Sequence, residues 1–299
     1  MHAELIVPGL LAASEAGRLP ALELLLARAR STQGEPQSYE AWLGEAFGVE
    51  PLPAGALTAS AEGFWLRADP VHLQLMRDRM VLHPVVGLQQ AEAAQLVATL
   101  NRHFAGMHEF RCPYPDWWVV RTTPAAIATP PTREVAGLDV DTHMPGAPWP
   151  ALLNEIQMAL HEHPVNEARE MPVNSVWLWG PGELPDVIAA HWRTITANEP
   201  VALGLARLAG ISHRAPPRSA AAWLDSAVPQ DGRHLVVLEG TAAELEAAWF
   251  APLLEALRSK RIGMVSIHVP DAGLSFEVAR DDLRRFWRRA RPLADHAPG

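Results

Sequence analysis

Apolar and polar positions along the chain fall into two alternating patterns. Short apolar runs bounded by turn residues occur at Glu4–Val7, Ser175–Trp179, 234–240 (HLVVLEG), 262–269 (IGMVSIHV) and 273–278 (GLSFEV). Runs of this length ending on Gly or Pro read as buried strands. Between them, apolar residues recur at helical spacing over 20–30, 39–48, 88–104, 149–163, 184–195, 200–209 and 281–289. Pro20 and Pro150 stand near first turns, where a missing N–H removes no helical hydrogen bond. Gly48 and Gly210 close two of these helices. Thr241 and Glu244 form a capping box at the head of a further helix, which Pro252 is expected to kink. The run Ser175–Trp179 stops at Gly180-Pro181-Gly182, a tight turn.

Strand and helix alternate at this spacing through the C-terminal part, which predicts a largely parallel sheet covered by helices, with Glu4–Val7 joining it. The middle of the chain differs. Residues 63–83 read as two β-like pieces around Asp69-Pro70, 110–122 as a loop and then a strand, and 31–38 and 129–148 as loops. The fold class is therefore α/β, a mostly parallel sheet flanked by helices, with an inserted α+β segment. The expected division is a discontinuous domain of 1–62 with 166–299, and an inserted domain of 63–165.

Composition narrows the function classes. The chain has 299 residues, of which 48% are hydrophobic, enough for one large core or two ordinary domains. Its net charge of −9 and 27 prolines argue against a nucleic-acid surface. The basic run RRFWRRAR at 284–291 reads as the solvated end of a C-terminal helix. No apolar stretch reaches the roughly 20 residues needed to span a bilayer. The apolar N-terminus lacks a basic leader region and is interrupted by Glu4, Pro8 and Glu15, so it reads as strand, loop and helix. With Cys112 as the sole cysteine no intrachain disulfide is possible, and a structural thiol in a cytoplasmic protein is expected.

The stretch HEHPVNEAREMPVNSVWLWGPGELP (161–185) resembles a segment of cofactor-independent phosphoglycerate mutases of the archaeal type, members of the alkaline phosphatase superfamily. His163, Val165, Asn166, Arg169, Asn174, Trp177, Trp179, Gly180 and Gly182 carry the resemblance. In the same order, FWLRADPVHL (64–73) is similar to the family's Arg-containing strand entering its cap domain. DTH (141–143) resembles an Asp-x-His element of the cap, and LPALELLLARA (19–29) the first helix of the phosphatase domain. The chain also resembles a shorter bacterial subgroup, the RpfE-type regulatory proteins. The resemblance implies an alkaline-phosphatase-like α/β domain with an inserted cap, two divalent metals and a serine nucleophile.

Position by position, the chemistry that the resemblance implies is missing. The first strand runs into LIVPGLL, with no Asp-Gly, and no Gly-Ser-Asp occurs between 31 and 64. After HLVVLEG only Glu239, Glu244 and Glu246 are candidates, with no histidine, and Ile267-His268 keeps only the histidine of an Asp-His pair. His268 is the one plausible metal-ligand remnant. Two-metal sites take several N or O donors, so no cofactor is expected and metal-dependent phosphoryl transfer reads as lost. What can remain is binding of a phosphorylated small molecule. Arg67, Arg121 and Arg169 offer the planar fork that suits phosphate, or else pair with surface acids. Asp141 and His143 share one face only if DVDTH (139–143) is extended, and are solvated in a loop. Asn166 and Asn174 either contact ligand or satisfy backbone groups at a hinge. No Gly-x-Ser-x-Gly, Walker or dinucleotide fingerprint occurs. The expected function is a degenerate, regulatory or phospho-metabolite-binding protein with an unidentified protein partner. The alternatives are an active mutase or phosphatase using Mn or Zn through rearranged ligands, and a structural interaction module.

Overall fold

Twelve strands organise the described residues, 1–12, 17–226 and 231–296 of the computed structural model. In chain order they are β1 (His2–Ile6), β2 (Arg30–Gln33), β3 (Trp65–Leu75), β4 (Met80–Pro84), β5 (Glu109–Tyr114), β6 (Trp117–Arg121), β7 (Ser175–Gly182), β8 (Thr194–Thr196), β9 (Ser212–Arg214), β10 (Arg233–Val237), β11 (Met264–Val269) and β12 (Leu274–Ala279). The chain divides into two compact units, Met1–Gly48 with Ile188–Gly299, and Val49–Val187. The expected boundaries at 62/63 and 165/166 fall inside the second unit. There Ala56 of the helix Ala54–Ala59 packs with Trp65 and Val119.

The first unit is a seven-stranded sheet in the order β2-β12-β11-β1-β10-β8-β9. The five strands from β11 to β9 are parallel; β12 adds antiparallel to β11, and β2 antiparallel to β12. Strand periodicity decides what each face carries. Ala3, Leu5 and Val7 face one way with Val236, Val265 and Ile267, into a core shared with Leu22, Leu25 and Leu253 of flanking helices. Each fully buried Val, Leu or Ile side chain among them contributes about 1.5–3 kcal/mol. The helix Pro20–Arg28 starts on Pro20, and Glu246 caps its N-terminus by accepting from the N–H groups of Ala21 (2.7 Å) and Leu22 (3.0 Å). The interruption expected at Pro252 takes the form of a π-turn over Glu246–Phe250, after which the helix continues as Ala251–Arg258.

Three expectations are corrected in this unit. Residues 31–38, read as a loop, begin in the edge strand β2, whose side chains are all exposed and so leave no apolar signal. The span 184–195 is not a helix: it is irregular as far as Arg193, and β-branched Thr194–Thr196 then pairs with β10. The last helix, expected over 281–289, is a short 3₁₀ turn at Arg280–Arg284 followed by irregular chain, because Phe286 and Trp287 give no apolar stripe to bury. The loop expected between the first strand and helix includes 13–16, which lie outside the described residues.

The second unit is a five-stranded antiparallel sheet, β4-β3-β6-β5 with β7 on β3. One face packs on the helices Gln90–His103 and Trp149–Leu160, through Leu66, Trp118, Val176, Leu96, Leu100 and Ile156. Asp69-Pro70 does not split β3, whose eleven residues are continuous; Pro70 still contributes its carbonyl, which accepts from Val85 N at 3.0 Å. Residues 110–122 form the hairpin β5–β6, and 129–148 contains the short helix Thr132–Val135. The run Ser175–Trp179 is a strand of this antiparallel sheet and not of the parallel one. Buried on both faces, it has the continuous apolar look that a parallel strand also has. The tight turn expected at 180–182 is instead the end of β7, which pairs Gly182 with Trp65 across a bulge; Gly180 lies there at φ +56°, where a Cβ would be 2.6 Å from the Ala54 Cβ. Gly180→Ala is therefore expected to destabilise the chain by about 2–4 kcal/mol, the sum of left-handed strain and overpacking. Urea unfolding measures this.

Candidate functional site

Period-two alternation puts His2 and Glu4 of β1 on the sheet face opposite the main core. The parallel register Glu4↔Ser266 and Ile6↔His268 places Ser266 and His268 on that same face. Ser275 of β12 stands directly opposite His268. Trp42, from the helix Tyr39–Phe47, lies over the cluster with its ring 5.0 Å from that of His268. Glu4 is only 2% exposed, and a buried carboxylate must be fully paired. It is. Its oxygens accept from His268 Nε2 (3.1 Å), Trp192 Nε1 (2.9 Å) and the Arg233 fork (2.9–3.0 Å). Burial alone would raise the Glu4 pKa. Hydrogen bonds from His268 and Trp192, with the charges of His268 and Arg233, overcome it and hold the value at about 2, below the ordinary 4.5.

Both nitrogens of His268 are engaged. Nε2 donates to ionised Glu4, and Nδ1 lies 2.8 Å from Ser275 Oγ. With a proton on Nε2, Nδ1 is placed to accept from the Ser275 hydroxyl. Other carboxylates of the first unit are committed as well. Glu244 accepts from Thr241 N at 2.8 Å, closing the expected capping box. Glu246 caps the helix Pro20–Arg28, Asp271 accepts from Gly9 N at 2.8 Å, and Glu199 accepts from Ala202 N at 2.9 Å. Among the described residues no group of three or more His, Cys, Asp or Glu is placed to hold a metal ion. This donor set does not fit a two-metal centre.

In the second unit the candidate binding residues are separate and mostly committed. Arg67 is 2% exposed and donates Nε (2.9 Å) and Nη2 (2.5 Å) to Asp69, and Nη1 to Thr58 (3.4 Å). The other Asp69 oxygen accepts from Trp179 Nε1 (2.7 Å) and Thr132 Oγ1 (2.5 Å). Asn166 bonds the carbonyls of Leu160 and Val173 and the Val173 N–H, and Asn174 bonds both backbone groups of Leu73. These amides tie chain segments within the unit. Arg169 pairs with Glu92 at 3.3 Å and donates to the Val86 carbonyl. Asp141 and His143 lie exposed in one 3₁₀ turn, not in an extended strand. Arg121 is half exposed, with Glu109 at 3.9 Å.

Glu4, Arg233, Trp192, Trp42 and Ser275 complete the first cluster and escape sequence reading as site residues. The signal is present in HAE at 2–4 and SIH at 266–268, where polar and apolar residues alternate in central strands. A carboxylate in such a strand requires a buried partner. What the sequence hides is the partner, which lies 264 residues away.

No protein-family model matches the chain. It is 24% identical over 208 residues to a probable 2,3-bisphosphoglycerate-independent phosphoglycerate mutase of Geobacter sulfurreducens, covering 59% of this chain and 52% of that protein. It is 29% identical over 113 residues to the 2,3-bisphosphoglycerate-independent phosphoglycerate mutase of Methanothrix thermoacetophila, covering 35% of this chain and 27% of that protein. The chain thus spans about half the length, or less, of the curated relatives it matches. Among solved structures it resembles the PH0037 protein of Pyrococcus horikoshii, with a TM-score of 0.53 at 14% identity, over 93% of this chain and 87% of that one. That likeness is one of fold. The weak sequence relatives are cofactor-independent phosphoglycerate mutase-like proteins.

Two expectations follow from the paired charges. The stabilisation from ionised Glu4, roughly 3 kcal/mol, is complete above pH 4.5 and is lost as pH falls towards 2. Glu4→Gln should flatten that part of the stability profile, read by denaturant unfolding at successive pH values. Asp69→Asn removes the carboxylate that takes two guanidinium bonds of the buried Arg67 and should cost about 3–5 kcal/mol, measured by urea unfolding at neutral pH.

Proposed function

We propose that this chain is a divergent phosphoglycerate mutase-like protein of the RpfE-type regulatory group, which has lost metal-dependent phosphoryl transfer and acts in the cytoplasm as a regulatory or phospho-metabolite-binding protein. The observation that carries the reading is the commitment of His268, whose two nitrogens are taken by Glu4 and Ser275. The engaged carboxylates of Glu244, Glu246 and Asp271 support it. Phosphate monoesters need accelerations of up to about 10²¹-fold. Neutralising charge on the phosphate and activating the attacking oxygen are what metals contribute, so a chain without the donors loses the reaction rather than slowing it. Of Arg67, Arg121 and Arg169, Arg121 has the most exposed guanidinium with which to take a phosphate by two parallel hydrogen bonds.

A structural interaction module is the second reading, favoured by one feature. Phe286 (80% exposed) and Trp287 (66% exposed) stand at the surface of the first unit, and paired exposed aromatics mark contact surfaces. No helix among the described residues is long and apolar enough to cross a membrane.

The test is metal content after dialysis against Mn²⁺ and Zn²⁺, followed by turnover of 3-phosphoglycerate. The reading expects no stoichiometric metal and no turnover. Two equivalents per chain with metal-dependent turnover would establish the active alternative.

A further inference from the structure

The sheet face that holds Glu4 carries a second arrangement, independent of phosphoryl transfer. Ser275 Oγ lies 2.8 Å from His268 Nδ1, and His268 Nε2 lies 3.1 Å from Glu4 Oε1. A hydroxyl on one ring nitrogen and a buried carboxylate on the other are the geometric requirement for an activated serine. The carboxylate is fixed by Trp192 and Arg233, so it sets the imidazole tautomer with Nε2 protonated and Nδ1 free to accept. Glu4 does not reach solvent, and His268 is 14% exposed at its side chain. Ser275 lies farther out. It lines a cavity of about 500 Å³ whose walls include Trp42, Gln37, Thr32, Glu35 and Glu45. Thr32 stands opposite Ser275 in the β2–β12 register and is exposed, so the rim is open.

We propose that Ser275, His268 and Glu4 form a serine-nucleophile triad that cleaves a small carboxylic ester bound in this cavity. Ser275 Oγ bonds to the ester carbonyl carbon while its proton passes to His268 Nδ1. The tetrahedral adduct collapses, the alkoxy C–O bond breaks, and the departing alcohol takes the proton from Nδ1. Water then repeats the sequence on the acyl-serine, releasing the carboxylic acid and restoring Ser275. Glu4 is the positioning residue; Ser275 and His268 touch the reacting atoms. The Thr32 hydroxyl lines the same cavity and is the donor offered to the developing oxyanion, while the Gln37 carboxamide there donates to Glu45 at 3.1 Å. Glu35 and Glu45 repel anions, so the substrate class is an uncharged or cationic ester with a flat or apolar portion for the Trp42 ring, and not a phosphomonoester.

The probe is a biotinylated fluorophosphonate, whose phosphorus bonds to an activated serine oxygen as fluoride leaves and the hydroxyl proton goes to the imidazole. The full-length chain is labelled, digested and mapped by mass spectrometry. The expected result is one adduct per chain, on Ser275, absent after thermal unfolding. Ser275→Ala, at a partly exposed position, should fold and take no label. His268→Gln should slow labelling by about 10²-fold or more. Glu4→Gln should lower the maximal labelling rate and leave the half-saturating probe concentration unchanged. Because His268 also holds Glu4, the position of the wild-type adduct decides by itself. No adduct, an adduct on another serine, or labelling of Ser275 that persists at full rate in folded His268→Gln would overturn the triad. Hydrolysis of p-nitrophenyl acetate by the wild-type chain, lost in Ser275→Ala, gives the matching turnover readout.

Discussion

The first unit depends on the neutralisation of one buried carboxylate. Glu4 sits in the middle of the central parallel strand, 2% exposed, between strands that pair with it along their length. An isolated charge there is incompatible with folding. The solution recruits the far ends of the sequence. Arg233 comes from one neighbouring strand, His268 from the other, and Trp192 from the segment just before β8. The pairing pins the register of β1, β10 and β11 on their polar face, while Leu5, Val236 and Ile267 pack on the apolar one. Once His268 is oriented by Glu4, its other nitrogen is fixed on Ser275. The chemistry open to this face therefore follows from the way Glu4 is paired.

The second unit repeats the solution with different residues. Arg67 and Asp69 lie two apart on β3 and pair within the sheet, with Trp179 and Thr132 completing the carboxylate. Such a pair contributes little as a net term, and removing one member is costly. It fixes β7 against β3 and carries the Thr132–Val135 helix with it. The same arginine that sequence resemblance offers for phosphate is thereby a structural cation.

Legibility of the sequence follows the range of the interactions. The α/β class, the parallel strands β1, β10 and β11, the helix Pro20–Arg28 and the Thr241–Glu244 capping box are local patterns, and they read directly. The assignment of Ser175–Trp179 to a sheet does not, because burial on both faces erases the alternation that separates antiparallel from parallel strands. β2 is invisible for the opposite reason, as an edge strand with no buried side chain. His268 is legible as an isolated remnant. Its partners are not, since Glu4 and Arg233 acquire meaning only when strands more than two hundred residues apart become neighbours.

The claim at the centre of this account is that His268 belongs to a closed hydrogen-bond network and not to a metal centre. Side-chain ¹⁵N NMR of the histidines, with His268 assigned through the His268→Gln variant, tests it most directly. The account expects a proton on Nε2, hydrogen-bonded to Glu4, and no change in either nitrogen on addition of Zn²⁺. Loss of the Nε2 proton with a metal-induced shift of that resonance at stoichiometric Zn²⁺ would contradict it.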